Sequence, residues 1–306
     1  MPDKSKKLPD FLILGAAKAG TTALFKAIGR HPQVFSPALK EPRFFAYAGS
    51  PPMFCGPGGT AKARAVCHEE TDYIKLFTDC GPYQLAFEAT PEYLPNESAP
   101  VTAARYVPSA RLIVVLRHPV ERAFSQYLHL RSEGLETCSS FEEAWDFCHL
   151  RRTAGWRPVY DYKSRGFYGA QLTRWTQHFS PDQFLILFYE DWQSNPSEVL
   201  SRIWKHVGLE PMESPIVTKE NISSRQPRWQ WFHRHMVDRE NPVRLFAQRT
   251  LPLWVRDAVT GSMEAINLTK GPTLDPSIRR SFAGTYHDDL EMVEKMTGRN
   301  LDAWRT

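Results

Sequence analysis

The sequence is poor in the features that would place it in a membrane, in a disulfide scaffold or on nucleic acid. Its first ten residues carry Lys4, Lys6 and Lys7, but no long apolar segment follows them. Neither a signal peptide nor a membrane anchor is therefore expected, and residues 1–9 read as a disordered tail before a single domain over 10–306. The five cysteines (Cys55, Cys67, Cys80, Cys138 and Cys148) are odd in number, scattered and without C-x-x-C spacing, which favours neither a disulfide framework nor a zinc site. His233 and His235 lack the partnered cysteine or carboxylate pattern of a metal site, and no metal is expected. A net charge of +4 and a pI near 8.7 suit a protein that handles anions but fall short of a nucleic-acid footprint. There is no internal repeat and no low-complexity tract.

What is present is enough for a large core: 306 residues, 42% of them hydrophobic. The informative stretch is Phe11 to Phe25, in which the apolar run Phe11-Leu12-Ile13-Leu14 breaks into a glycine-bounded turn and reopens as a helical pattern. This reads as strand, phosphate loop and helix, a geometry that aims backbone N–H groups and a helix N-terminus at one anion. Gly15 and Gly20 have the G-x-x-x-x-G spacing of a nucleotide P-loop, but Thr21 stands where that motif needs its lysine, and the lysine comes earlier, at Lys18. That displacement argues against an ordinary kinase or NTPase.

Further strands are expected at Val34-Phe35, Tyr83 to Phe87, Arg111 to Leu116 and Phe184 to Glu190. Helices are expected over Thr21 to Arg30, Ser140 to Leu150, Arg165 to Phe179, Pro196 to Val207 and Pro276 to Met296. Alternation of this kind predicts an α/β fold, an open parallel sheet with helices on both faces. Gly49 to Gly59, rich in glycine and proline, reads as a loop that could act as a lid. Between Glu220 and Arg256, basic residues interleave with Trp229, Trp231 and Phe232. Helical spacing favours an amphipathic helix there over a surface for single-stranded nucleic acid.

Three stretches together carry a family resemblance. Lys18-Ala19-Gly20-Thr21-Thr22 after an apolar strand resembles the 5′-phosphosulfate loop of sulfotransferases that use 3′-phosphoadenylyl sulfate (PAPS). Lys40-Glu41-Pro42-Arg43-Phe44-Phe45 resembles the K-E-P-x-F-F element of bacterial sulfotransferases, in which the glutamate is the base. Arg117-His118-Pro119 followed by Arg122, Ser125 and Tyr127 is similar to the family's 3′-phosphate site at a strand end and the helix after it. A fourth stretch, Glu88-Ala89-Thr90-Pro91-Glu92-Tyr93-Leu94, resembles the segment at the mouth of the cleft. Heparan-modifying members usually carry lysine where this chain has Ala89, which makes a polyanionic glycan acceptor less expected.

The resemblance implies a P-loop-like enzyme that moves a sulfuryl group from PAPS to a hydroxyl or amine of a small-molecule or carbohydrate acceptor, leaving adenosine 3′,5′-bisphosphate (PAP). Glu41 and Lys18 would be catalytic. Lys18, Ala19, Gly20, Thr21, Thr22, Arg117 and Ser125 would hold the nucleotide, and Lys40, Arg43, Glu88, Thr90 and Tyr168 would face the acceptor, with Arg152, Trp156 and Tyr160 as weaker candidates. Should Glu41 prove structural, Glu88 or His68 stands next as base. Lys270-Gly271 resembles a basic loop that closes over the 3′-phosphate. A cytoplasmic setting is expected, with a Golgi enzyme trimmed of its anchor as the alternative. No nucleic-acid or membrane partner is expected, and the oligomeric state stays open. Two other readings also remain open: a P-loop phosphotransferase, and a protein that binds the nucleotide without turnover.

Overall fold

The computed structural model describes residues 7–212 and 272–306, together with the backbone of 225–227 and 268–270. Its centre is a five-stranded sheet in which every pairing is parallel, in the order β2-β3-β1-β4-β5. The strands are β1 (Phe11–Gly15), β2 (Val34–Phe35), β3 (Leu85–Ala89), β4 (Arg111–Leu116) and β5 (Phe184–Phe188). β3, β1 and β4 are the inner strands, and the apolar runs of β1 and of β4 beyond Arg111 follow from that, since both faces are covered. Phe11 to Leu14 and Leu112 to Val114 are fully buried. The Phe11 and Phe87 rings, side by side on β1 and β3, stack with centroids 4.9 Å apart.

Because all five strands run the same way, their carboxyl ends share one edge, and the loops that leave them gather there. The loop after β1 leads into α1 (Thr21–Ile28), and a second short helix, α2 (Phe44–Tyr47), follows Arg43. Two residues, Arg117 and His118, separate β4 from α3 (Pro119–Ser132). Pro119 suits its first turn because the missing N–H would have no partner there. His118 caps the same turn, its Nδ1 accepting from the N–H groups of Val120 and Glu121. Burial brings the His118 pKa down to about 4, so the ring is neutral and free to accept. α4 (Tyr168–Thr176) packs on the C-terminal helix His287–Thr297, and α5 (Tyr189–Ser194) follows β5 directly.

Three sequence expectations are corrected by the fold. Ser140 to Leu150 is not one helix but two, Phe141–Asp146 and Cys148–Thr153, with Ser140 capping the first. The expected helix from Pro276 to Met296 ends at Ala283 and resumes at His287. The turn between them, Gly284–Tyr286, drives Tyr286 into the core beside Phe167, where its hydroxyl donates to the Lys163 carbonyl at 2.9 Å. Lys7 to Pro9, expected in the tail, are instead held: Leu8 packs on the core, Pro9 is buried and Lys7 pairs with Asp10 at 2.7 Å. The rest of the tail lies outside the described residues, as do the aromatic segment around Trp229 and Gly271. The backbones of 225–227 and 268–270 pair as an antiparallel two-stranded ribbon.

Candidate active site

The loop after β1 is shaped by two left-handed residues, Lys18 at φ 68° and Gly20 at φ 83°. At Gly20 a Cβ would press on the rings of Trp192 and Tyr189 at 3.2 Å, so glycine is required both by conformation and by space. The turn brings Lys18, Gly20, Thr21 and Thr22 to one wall of a cavity of about 550 Å³ at the carboxyl edge of the sheet. Burial lowers the Lys18 pKa to about 8; Glu133 opposes that fall and Arg117 adds to it. Ala19 plays another part: it is fully buried, and its N–H is taken by the Ala16 carbonyl at 3.2 Å.

Arg117, one residue past β4, reaches across to that loop. Its Nη1 donates to the Lys18 carbonyl at 3.1 Å, its guanidinium lies 4.7 Å from the Tyr189 ring centre, and its buried Nε has no partner. Glu121 stands 3.5 Å from Nη2. Ser125, two turns along α3, lines the same cavity with Gln126 and His129. Two anion-seeking groups separated by about a hundred residues in sequence thus face one space.

Glu41 and Arg43 flank Pro42 and both adopt left-handed backbone, at φ 60° and 63°. Such conformations cost non-glycine residues about 1–3 kcal/mol each and persist where the surroundings hold them. Here the clamp is ionic. Arg43 donates from Nη1 to the Glu41 carbonyl at 2.9 Å, from Nη2 to its carboxylate at 2.7 Å, and from Nε to Glu92 at 2.8 Å. Lys40 grips the other Glu41 oxygen at 2.7 Å and touches the Thr22 hydroxyl at 3.2 Å, which ties the element to the phosphate loop. Burial works against the Glu41 charge, but Lys40 and Arg43 outweigh it and hold the carboxyl below the ordinary glutamate range. Phe44 and Phe45, fully buried in an aromatic cluster with Tyr73 and Tyr93, anchor the turn from behind.

Not every expected residue reaches the cavity. Glu88, Thr90 and Tyr168 are buried behind its wall rather than lining it. Tyr168 donates to the Arg117 carbonyl at 2.9 Å, a support for that arginine. Glu88 receives the hydroxyls of Tyr73, Tyr93 and Thr90. His68 pairs with Glu69 at 3.1 Å, also away from the cavity. Conversely, Glu92, Lys62, Glu133, Arg157 and Arg165 line the space without having been singled out for it. Arg43 and Glu92 stand 49 residues apart, and a single sequence carries no signal that pairs them.

Burial raises the Glu88 pKa to about 7, against the pull of its three hydroxyl donors. A folded-state pKa above the unfolded value means that the bound proton stabilises the fold fully below about pH 4.5 and that this contribution is lost as pH rises through about 7. Relative to Glu88→Gln, the unsubstituted protein should lose on the order of 3 kcal/mol between pH 4.5 and 8, measured by urea unfolding at a series of pH values. A stability difference that stays flat with pH would contradict this.

The parallel sheet and the glycine-bounded loop at its carboxyl edge define a P-loop-like α/β protein. A model of the sulfotransferase family matches residues 9–214, and the chain belongs to that family. Mouse bifunctional heparan sulfate N-deacetylase/N-sulfotransferase 4 is 30% identical over 217 residues, 67% of this chain and 23% of the relative. Mouse heparan sulfate glucosamine 3-O-sulfotransferase 3A1 is 29% identical over 309 residues, 98% of this chain and 66% of the relative. The chain thus spans about a quarter of the length of the bifunctional relative. The crystal structure of a sulfotransferase from Alicyclobacillus acidocaldarius shares the fold, with a TM-score of 0.76, 23% identity, and coverage of 98% of this chain and 100% of that one. Among the described residues no helix is long and apolar enough to cross a membrane.

Proposed function

We propose that the protein transfers a sulfuryl group from PAPS to a hydroxyl or amine of a small-molecule or carbohydrate acceptor, in a cytoplasmic setting that suits its five free cysteines. The observation that carries this reading is the bond from Arg117 to the Lys18 carbonyl, which brings the phosphate loop and the end of β4 to one cavity. A ligand with phosphates at two places, as in PAPS, fits such a pair of anion-seeking walls. The unpartnered Nε of Arg117 supports the fit, since a buried guanidinium N–H calls for an acceptor. The family match and the displaced lysine both favour sulfuryl over phosphoryl transfer.

PAPS, when bound, supplies the sulfuryl group and a phosphate leaving group. Lys18 and the N–H groups at the start of α1 would oppose the negative charge that grows on that phosphate. Arg117 and Ser125 would hold the 3′-phosphate, the arginine through its planar fork. Glu41 would take the acceptor proton; held ionised by Lys40 and Arg43, it needs no prior deprotonation at neutral pH.

The test is ligand discrimination. Arg117→Ala and Ser125→Ala should each weaken PAP binding by about ten- to a hundredfold, the loss of a hydrogen bond to a charged group. They should weaken adenosine 5′-phosphosulfate, which lacks the 3′-phosphate, far less. Equal losses for both ligands in calorimetric titration would remove these residues from 3′-phosphate recognition.

A further inference from the structure

A second chamber of about 470 Å³ lies beside the first, and Glu92, Arg157 and Arg165 border both. Five arginines and three carboxylates, Glu92, Glu97 and Asp161, line it; Arg151 is neutralised by Glu136 at 2.5 Å, Arg152 by Asp161 at 3.2 Å, and Glu92 is taken up by Arg43 at 2.8 Å. Arg157, Arg165 and Arg174 form no ion pair with another described residue. Arg165 is only 5% exposed; its Nη1 has no hydrogen-bond partner, and its Nη2 reaches the Pro91 carbonyl at a long 3.5 Å. Arg174 donates to the Pro95 carbonyl at 3.0 Å, yet its Nε is buried without a partner. The Gln171 amide oxygen, also on this wall, lacks a donor.

Guanidinium N–H groups left unpaired away from water are costly, so a space lined by them favours an occupant that accepts hydrogen bonds and carries negative charge. A carboxylate does both, with two oxygens that match a guanidinium fork. The unfilled Gln171 oxygen asks for a donor, as a neighbouring hydroxyl would supply. Glu92, on the shared wall, also holds Arg43, which in turn holds Glu41. The chamber is thus one pair of side chains away from the proposed base.

We propose that this second chamber is the acceptor subsite, and that its unpaired arginines select acceptors carrying a carboxylate in addition to the hydroxyl or amine that is sulfated. The assignment rests on reading the first cavity as the nucleotide site. Sugar acids and aromatic hydroxy acids share this chemistry, and both would fit a wall that also presents Trp156 and Phe167.

The experiment is calorimetric titration of the PAP-loaded protein with two matched pairs: a hexuronate-containing disaccharide against its neutral hexose counterpart, and 4-hydroxyphenylacetate against its amide. In at least one pair the acid should bind at least about tenfold more tightly, and which pair does so separates the sugar from the aryl source. Arg174→Gln should abolish the preference, Arg174→Lys should keep most of it, and neither should change PAP affinity. Arg157→Gln serves as a second variant if Arg174→Gln does not fold. No acid preference in either pair, or a preference that survives both neutral substitutions, overturns the proposal while PAP binding stands. Failure of the unsubstituted protein to bind PAP would instead remove the nucleotide reading and the subsite with it.

Discussion

Glu41→Gln should cut kcat by roughly 10²–10⁴ while leaving PAP affinity within about twofold, because it keeps the shape of the side chain and removes only its basicity. The turn that presents Glu41 should survive. Arg43 keeps its bonds to Glu92 and to the residue-41 carbonyl, and the Phe44 and Phe45 anchors are untouched. With Lys40 and Arg43 holding the Glu41 carboxyl below its ordinary range against the effect of burial, protonation of the base should not by itself switch the enzyme off as pH is lowered from 7 to 5. Near-full turnover by the variant would reduce Glu41 to a structural partner of Lys40 and Arg43. His129 and Glu133, which line the cavity, would then be the next bases to test, rather than the buried Glu88 or the remote His68.

Lys18→Ala should lower kcat by about 10²–10³, more than it weakens binding of PAPS, since its charge counts most as negative charge builds on the leaving phosphate. The pH dependence follows from its burial. In the free protein Lys18 titrates near 8, and the useful form is the cation, which is lost as pH rises through that value. Thus kcat/KM should fall on the alkaline side of about pH 8, and the Lys18→Ala variant should lack that limb. Under saturating PAPS the limb should move upward, because a bound anion favours the charged form. An unchanged kcat with saturating PAPS would leave Lys18 as an ordinary phosphate ligand.

The parallel sheet and the glycine-bounded loop at its carboxyl edge were legible because they rest on local signals. Phe11 to Leu14 and Leu112 to Leu116 are apolar without interruption, and Gly15, Gly20 and Pro119 punctuate the strand ends at positions that backbone chemistry restricts. That Arg117 and Ser125 share one cavity was legible the same way, from a strand end and a helix face two turns along. What escaped was long-range pairing. Whether Glu88 faces a cleft or three buried hydroxyls depends on Tyr73 and Tyr93, and no local pattern in residues 85–90 encodes that. The Arg43–Glu92 bond and the clustering of Arg157, Arg165 and Arg174 likewise arise only when separate loops meet. The broken C-terminal helix belongs to the same class, because its turn follows from where the Tyr286 ring must pack.

The most direct test of the account is to compare thermal stabilisation by PAP with that by ATP plus magnesium, at equal and saturating concentrations. A ligand that binds the folded state at a hundred times its Kd adds about 2.7 kcal/mol to stability, which is a readily measured shift in Tm. A rise with PAP, diminished in Arg117→Ala, is expected, with little or none from ATP and magnesium. Selective stabilisation by ATP and magnesium would contradict it.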